Sequence, residues 1–380
     1  MANEDRAARY HRLKRRALLL SSVARVLVLL LVIVTGFSVL LRDISSVLAG
    51  GSFTLTIIIY VVGLSFFLEI VRLPLAFYEG VTLERRYGLS TQSDGHWWFG
   101  QFKSGILVLV FVAVFTVLIW HLIFLMPELW WVFTAVSLII VLIGLVQIAP
   151  VSLIPLFYDI KPLDRPLLRE RLVALAQKTG APVFGVFEWR VSNGTRKANA
   201  LLVGIGRTKR ILLSDTLLAD HSDDEIEVIL AHELAHHVHH DIWKGVILEG
   251  VFIWAGCYLG DRVLTLAVPI LQLSGKSDIA GFPIVVMAGI TVSLLLVPIV
   301  NAVSRLHERR ADRYALEMTR NTQAFISAMK RLGMQNLADE RPSRLVQLLF
   351  HTHPPISARI AAAEVWDTSG ASNFKKIKKP

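Results

Sequence analysis

Apolar residues in this chain collect in long blocks instead of recurring every three or four positions. Six blocks stand out, near residues 17–41, 53–77, 105–125, 130–154, 245–266 and 282–303. A helical block of about 20 apolar residues matches the hydrocarbon thickness of a bilayer, so the pattern predicts six transmembrane helices. Core helices of a large soluble protein are the alternative, but these rarely run so long without a polar face. Between the fourth and fifth blocks the pattern changes. Asp164-Arg165-Pro166 reads as a helix start and Gly180 as its stop. Residues 183–191 alternate as a strand does, Asn193-Gly194 signals a turn, and 199–204 and 210–214 are short β-like runs. Ser222-Asp223-Asp224-Glu225 is a capping box ahead of Ile226, Ile229 and Leu230 at helical spacing. Residues 322–332 and 356–365 read as further helices. The expectation is a mainly α, polytopic membrane protein. It has a four-span N-terminal region (1–156), a small α+β insert (157–244), two further spans (245–303), a helical region (304–367) and a basic tail (368–380).

Composition and charge sharpen this reading. The 380 residues are 54% hydrophobic and only 18% charged, where a soluble protein carries about 25% charged residues. Trp97, Trp98, Trp120, Trp130, Trp131 and Trp243 lie near block edges, at headgroup level for amphipathic rings. Arg6, Arg9, Arg12, Lys14, Arg15 and Arg16 precede the first block, and Arg85, Arg86 and Lys103 follow the second. The alternate loops hold little more than Arg42, Arg262 and Lys276. This asymmetry predicts cytoplasmic termini and a cytoplasmic insert. The net charge of +10 is then a positive-inside signature with affinity for anionic lipid. No basic stripe with interleaved aromatics points to nucleic acid, and nothing fixes an oligomeric state. Val47-Leu48-Ala49 resembles a signal-peptidase site behind too long an apolar run, which reads as an uncleaved anchor. Cys257 is the single cysteine, so no intrachain disulfide forms. Arg25, Glu69, Arg72 and Glu249 fall inside blocks. They read either as a polar chamber or, for Glu69 and Arg72 at i,i+3, as a structural ion pair.

Residues 232–236 are His-Glu-Leu-Ala-His. On a helix, i and i+4 share one face, so His232 and His236 can hold one Zn²⁺ while Glu233 serves as general base on the attacking water. Their helix is amphipathic and lies outside the blocks, unlike that of an intramembrane site-two protease. A catalytic zinc site takes three protein ligands. The metzincin continuation fails, with His239 at its glycine position and Ile242 at its third histidine. His237, His239 and His240 fall on other faces or one turn on. Glu308, just past the sixth block, is the better third ligand. Asp312, at i+4 from it, can accept the free N–H of a ligating imidazole. The alternative for Glu308 alone is a solvated charge among arginines.

The HExxH run is joined by Ser304-Arg305-x-x-Glu308-x-x-Ala311-Asp312, by Asn199-Ala200 before a short strand, and by Arg210-Ile211 with Asp215-Thr216-Leu217. It is also joined by His353-Pro354-Pro355 with Arg359, and by Glu84-Arg85-Arg86-Tyr87-Gly88-Leu89-Ser90-Thr91-Gln92. Together these resemble the type I CaaX prenyl endopeptidase family of integral-membrane zinc metalloproteases. The resemblance implies a zincin-like catalytic domain and one Zn²⁺ per chain on His232, His236 and Glu308, with Glu233 as catalytic base. It implies that Asn199 and Ala200 hold substrate backbone at a sheet edge, that His353 and Arg359 line the cleft, and that the zinc site closes the cytoplasmic end of an intramembrane chamber. Its members act on peptide or membrane-protein substrates.

The expected reaction is peptide hydrolysis, with substrate lying extended beside residues 199–204. His353 is either a second stabiliser of the developing oxyanion or a capping residue ahead of Pro354-Pro355; His351 carries no functional reading. CaaX-type cleavage and membrane-protein quality control, as in heat-shock membrane metalloproteases, are the two substrate readings. The rival is a zinc transporter or sensor using His236-His237-Val238-His239-His240, although transport sites usually lie near the bilayer midplane. An inactive chaperone-like relative is a third reading.

Overall fold

A computed structural model of the chain describes residues 2–148, 152, 154–181, 183–204 and 209–373. The lysines of the basic tail, Lys375 to Lys379, lie outside these residues, and so do 149–151 and 153 at the predicted end of the fourth block. Helix α1 (Ala2–Val34) stops where Gly36 takes a φ of +72°, a left-handed conformation that glycine adopts without strain. The chain restarts as α2 (Phe37–Leu48). The first apolar block is therefore two helices. Its apolar residues run on past Gly36 and hide the break. At 12 residues, α2 is about 18 Å long and too short to cross a bilayer. Helix α3 (Phe53–Phe77) flows through a π-helical turn (Tyr78–Leu83) into the single turn α4 (Glu84–Arg86). Then come α5 (Asp94–Leu125), α6 (Trp130–Ile148) and the short α7 (Ile154–Phe157).

The soluble part follows, with β1 (Ile160–Pro162), α8 (Pro166–Lys178), β2 (Gly185–Trp189), β3 (Ala200–Val203) and β4 (Arg210–Ser214). Next are α9 (Asp215–Asp220), α10 (Asp223–Val238) and α11 (Asp241–Ile270). A 3₁₀ turn (Ile279–Gly281) leads into α12 (Phe282–Thr319), and α13 (Thr322–Gln335), α14 (Arg344–Phe350) and α15 (Ile356–Asn373) complete the chain. The predicted β runs and the Ser222–Glu225 capping box are all present. Arg165, not Asp164, occupies the cap of α8. β1, α9 and α14 are three, six and seven residues long, too short to show a period in sequence. Helix α15 continues through Asn373, past the boundary expected at 368.

Among the described residues six helices are long and apolar enough to cross a membrane, within Arg6–Val34, Phe53–Arg86, Asp94–Leu125, Trp130–Ile148, Asp241–Ile270 and Ile279–Thr319. Their shared core holds Ile57, Tyr60, Trp120, Trp130 and Leu264. Glu69 and Arg72 do pair, through Arg72 Nε to Glu69 Oε2 at 2.8 Å. The sheet has the order β1-β2-β4-β3, with β2 and β4 parallel and both outer pairs antiparallel. Helices α8 and α10 pack against it, and α13 against α10, through Leu168, Leu172, Ile211, Leu213, Ile226, Leu230 and Phe325, all buried. Two consequences position the site. β3 is an edge strand with one side unpaired by the sheet, and α10 is fixed against both the sheet and α12.

Candidate metal centre and substrate cleft

The capping box starts α10 cleanly: Ser222 Oγ accepts from Glu225 N, and the Glu225 carboxylate accepts from Ser222 N at 2.8 Å. Two turns on, His232 and His236 face the same side, their ring centroids 5.0 Å apart. Helix α12 leaves the apolar region without a break and carries Glu308 to them. His232 Nε2 lies 3.2 Å from Glu308 Oε2, and His236 Nε2 lies 3.3 Å from Glu308 Oε1. One donor atom from each of these three side chains falls within 4.8 Å of the others, and among the described residues theirs is the metal-ligand grouping that emerges. His237, His239 and His240 are not in it. His239 stacks edge-on against Tyr314, and His240 takes a left-handed φ of 57° where α10 ends.

The other nitrogen of each ring also meets a carboxylate. His232 Nδ1 is 2.9 Å from Asp312 Oδ1, and His236 Nδ1 is 3.1 Å from Asp241 Oδ2. An ionised carboxylate only accepts, so each Nδ1–H donates and each neutral ring turns an Nε2 lone pair toward Glu308. Lone pairs facing a buried carboxylate repel unless a proton or cation lies between them. Glu308 is 5% exposed, and its Oε2 has no hydrogen-bond partner despite the adjacent ring. Two imidazoles, one carboxylate and an orphaned oxygen thus fit a divalent cation such as zinc. Protons are the competing occupant. Burial alone lowers the basicity of His232, but the Asp312 and Glu308 carboxylates outweigh it and raise its pKa to about 9.

Asp241 was not found by sequence reasoning. It stands five positions beyond His236, off the helical face, and only the left-handed turn at His240 brings it back. It is 8% exposed and is also bound by Arg310 of α12. Asp312 is held in the same way by Arg359 of α15, whose Nε donates to Oδ2 at 2.9 Å. Arg359 does reach the cleft wall, but its guanidinium is engaged by Asp312.

Glu233 opens onto a cleft of about 690 Å³. One wall is helical, with Ile229, His232 and Glu233; the other is formed by Trp189, Val191, Ala198, Asn199 and Ala200. Burial raises the pKa of the Glu233 carboxyl above the ordinary glutamate range, which suits a group that must take and return a proton. Asn199 lies at the head of β3. Its N–H donates to Ser214 Oγ at 2.9 Å, and its carbonyl accepts from Ser214 N at 3.0 Å. Ala200 is buried in the sheet. His353 sits at the mouth, its side chain 61% exposed and its Nε2 3.4 Å from Glu308 Oε1.

This is the build of a membrane-embedded metallopeptidase, and the comparisons agree. Residues 162–367 match the model of peptidase family M48, and residues 2–159 match that of the CAAX prenyl protease N-terminal region, described as five membrane helices. The chain belongs to peptidase family M48 and is an integral-membrane metalloendopeptidase of the CAAX prenyl protease type. It is 31% identical over 309 residues to an uncharacterized metalloprotease of Bacillus subtilis, YhfN, covering 80% of this chain and 72% of that one. It is 27% identical over 322 residues to CAAX prenyl protease 1 of Saccharomyces cerevisiae, covering 78% and 69%. The crystal structure of S. mikatae Ste24p shares the fold, with a TM-score of 0.86 over 96% of this chain and 89% of that one, at 23% identity.

Proposed function

We propose that this protein is a zinc-dependent endopeptidase that cleaves membrane-associated protein substrates at the cytoplasmic face, with CaaX-type lipid-modified chains as the first class to test. The convergence of His232, His236 and Glu308 beside Glu233 carries the proposal. His232, His236 and Glu308 would hold the zinc ion, which when bound supplies Lewis acidity and makes water a nucleophile near neutral pH. Asp312 and Asp241 fix the tautomer and orientation of the two rings. Substrate lies extended against the free edge of β3, where main-chain hydrogen bonds hold it. Glu233 takes the proton of the attacking water and returns it to the leaving amine. His353, at the mouth, donates to the developing oxyanion. The cytoplasmic assignment is supported by the basic residues Arg6, Arg9, Arg12, Arg85 and Arg86, whose two segments meet each other and the catalytic part where Arg6 donates to Tyr87 O and Lys197 pairs with Glu84. The name of the yeast relative supports the CaaX-type reading.

The test is turnover of farnesylated and unmodified versions of one quenched peptide by purified protein, with and without chelator. Glu233→Gln is expected to keep its zinc and lose roughly 10²–10⁴-fold in kcat. Near-normal turnover in that variant removes Glu233 from the reaction. Equal kcat/KM on both peptides removes lipid recognition but leaves the peptidase.

A further inference from the structure

We infer that Glu84, buried at the membrane border, is a positioning residue for the substrate-binding edge: it anchors Lys197, two positions ahead of Asn199, to the N-terminal helix. The inference rests on the reading that substrate lies along β3. Glu84 is 9% exposed and belongs to the run 84–92, which has no role in the chemistry above. Lys197 Nζ lies 2.9 Å from Glu84 Oε2 and donates to Tyr10 Oη at 3.2 Å. Tyr10 Oη donates to the same carboxylate, and Lys14 Nζ lies 3.1 Å from it. One carboxylate thus ties together α1, the end of the second span and the lead-in to β3.

The rest of the run lies along that lead-in. Leu89 O accepts from Arg196 N at 2.9 Å and from Thr195 Oγ1 at 3.1 Å. Ser90 forms an antiparallel bridge with Thr195, and Thr91 N donates to Gly194 O at 3.3 Å. Gly88, at a φ of +73°, makes the turn that lets the run reverse, and Arg6 donates to the Tyr87 carbonyl beneath it at 2.8 Å. The 194–197 backbone is therefore registered by a segment of the membrane region, and this backbone delivers Asn199 to the cleft. Lys197 itself lines the cleft, but its ammonium is drawn back to Glu84. Losing that tether frees the lead-in at the point where substrate backbone must align, while the metal donors, on α10 and α12, are untouched.

The test uses full-length protein in lipid nanodiscs and a quenched peptide long enough to run along β3. Metal content and thermal unfolding are measured alongside. Glu84→Gln and Lys197→Met are each expected to raise KM roughly tenfold with kcat changed less than about twofold, since loosening the edge removes binding shared by ground and transition states and leaves the proton-transfer groups in place. Metal content stays at the wild-type level. Lys197→Arg keeps the pair and recovers most of the wild-type KM, and the Glu84→Gln, Lys197→Met double variant is no worse than either single. If the charge variants unfold, Thr195→Val decides, because it removes the hydroxyl's bonds to Leu89 O and from Lys197 N and leaves every charge in place: a raised KM supports the inference and an unchanged one overturns it. Asn199→Ala separates the two levels of the argument. If Asn199→Ala leaves KM unchanged, the edge-strand reading fails. If Asn199→Ala raises KM and Glu84→Gln does not, the role of Glu84 alone fails. A Glu84→Gln variant that loses kcat or metal instead of raising KM also overturns it.

Discussion

The helical wall of the cleft and its strand wall are secured by different chemistry. Around the metal centre each imidazole is backed by a carboxylate and each carboxylate by a guanidinium, in the chains His232-Asp312-Arg359 and His236-Asp241-Arg310. Such contacts are charge-assisted and buried, and removing one member strands the others. On the strand wall the Lys197–Glu84 pair lies ahead of the strand, while Asn199 itself is held by two hydrogen bonds to Ser214, and Ala198 N donates to Asn336 Oδ1 at 3.1 Å. Neutral bonds of this kind contribute about 0.5–1.5 kcal/mol each. The contrast teaches that damage to the helical wall is read in metal binding, in steps of about tenfold or more, whereas damage to the strand wall is read in stability and substrate binding, in smaller steps.

Four measurements test that contrast, in falling order of effect. Glu308→Ala is expected to purify without stoichiometric zinc and without activity; a full complement of metal in that variant breaks the description of the helical wall. Asp241→Asn and Asp312→Asn are each expected to weaken zinc affinity roughly 10–100-fold, read by chelator competition, and equal losses show that the two chains are equivalent. Ser214→Ala removes the cap of α9 and the partner of Asn199 N together. It is expected to cost about 1–2 kcal/mol of stability, read by thermal unfolding, with zinc affinity unchanged. Glu225→Gln has the smallest effect and depends on pH. Burial raises the pKa of that carboxyl, but Ser327, the Ser222 N–H and Arg331 bring it below the ordinary range overall. Its folded pKa is thus below its unfolded one. The stability it contributes is complete above the unfolded pKa of about 4.3 and is lost as pH falls through the folded value. The wild type should therefore lose Tm more steeply than Glu225→Gln between pH 5 and 3, and parallel curves remove Glu225 from the helix start.

The helical wall was largely readable in the sequence because its donors obey one period. His232 to His236 and Glu308 to Asp312 are both i,i+4 pairs, and α12 extends an apolar block whose direction was already set. Asp241 was not readable, because its contact with His236 depends on the left-handed turn at His240. Nor was the Asp312–Arg359 pair, whose members stand 47 positions apart on different helices. On the strand wall the β runs and the turn at Asn193-Gly194 gave the elements. Pairing order did not follow from them, and the contact of residues 84–92 with 194–197 joins segments more than a hundred positions apart. Gly36 was the local signal for the split of α1 from α2, masked by continued apolar sequence on its far side.

Helix α12 runs continuously for 38 residues, through Pro298, about 57 Å at 1.5 Å per residue, of which a bilayer's hydrocarbon takes up about 30 Å. Glu308 rides on the protruding arm. The third donor is therefore carried by a helix of the membrane part while both rings come from the soluble part, so the donor set is complete only when the two parts are docked on one another.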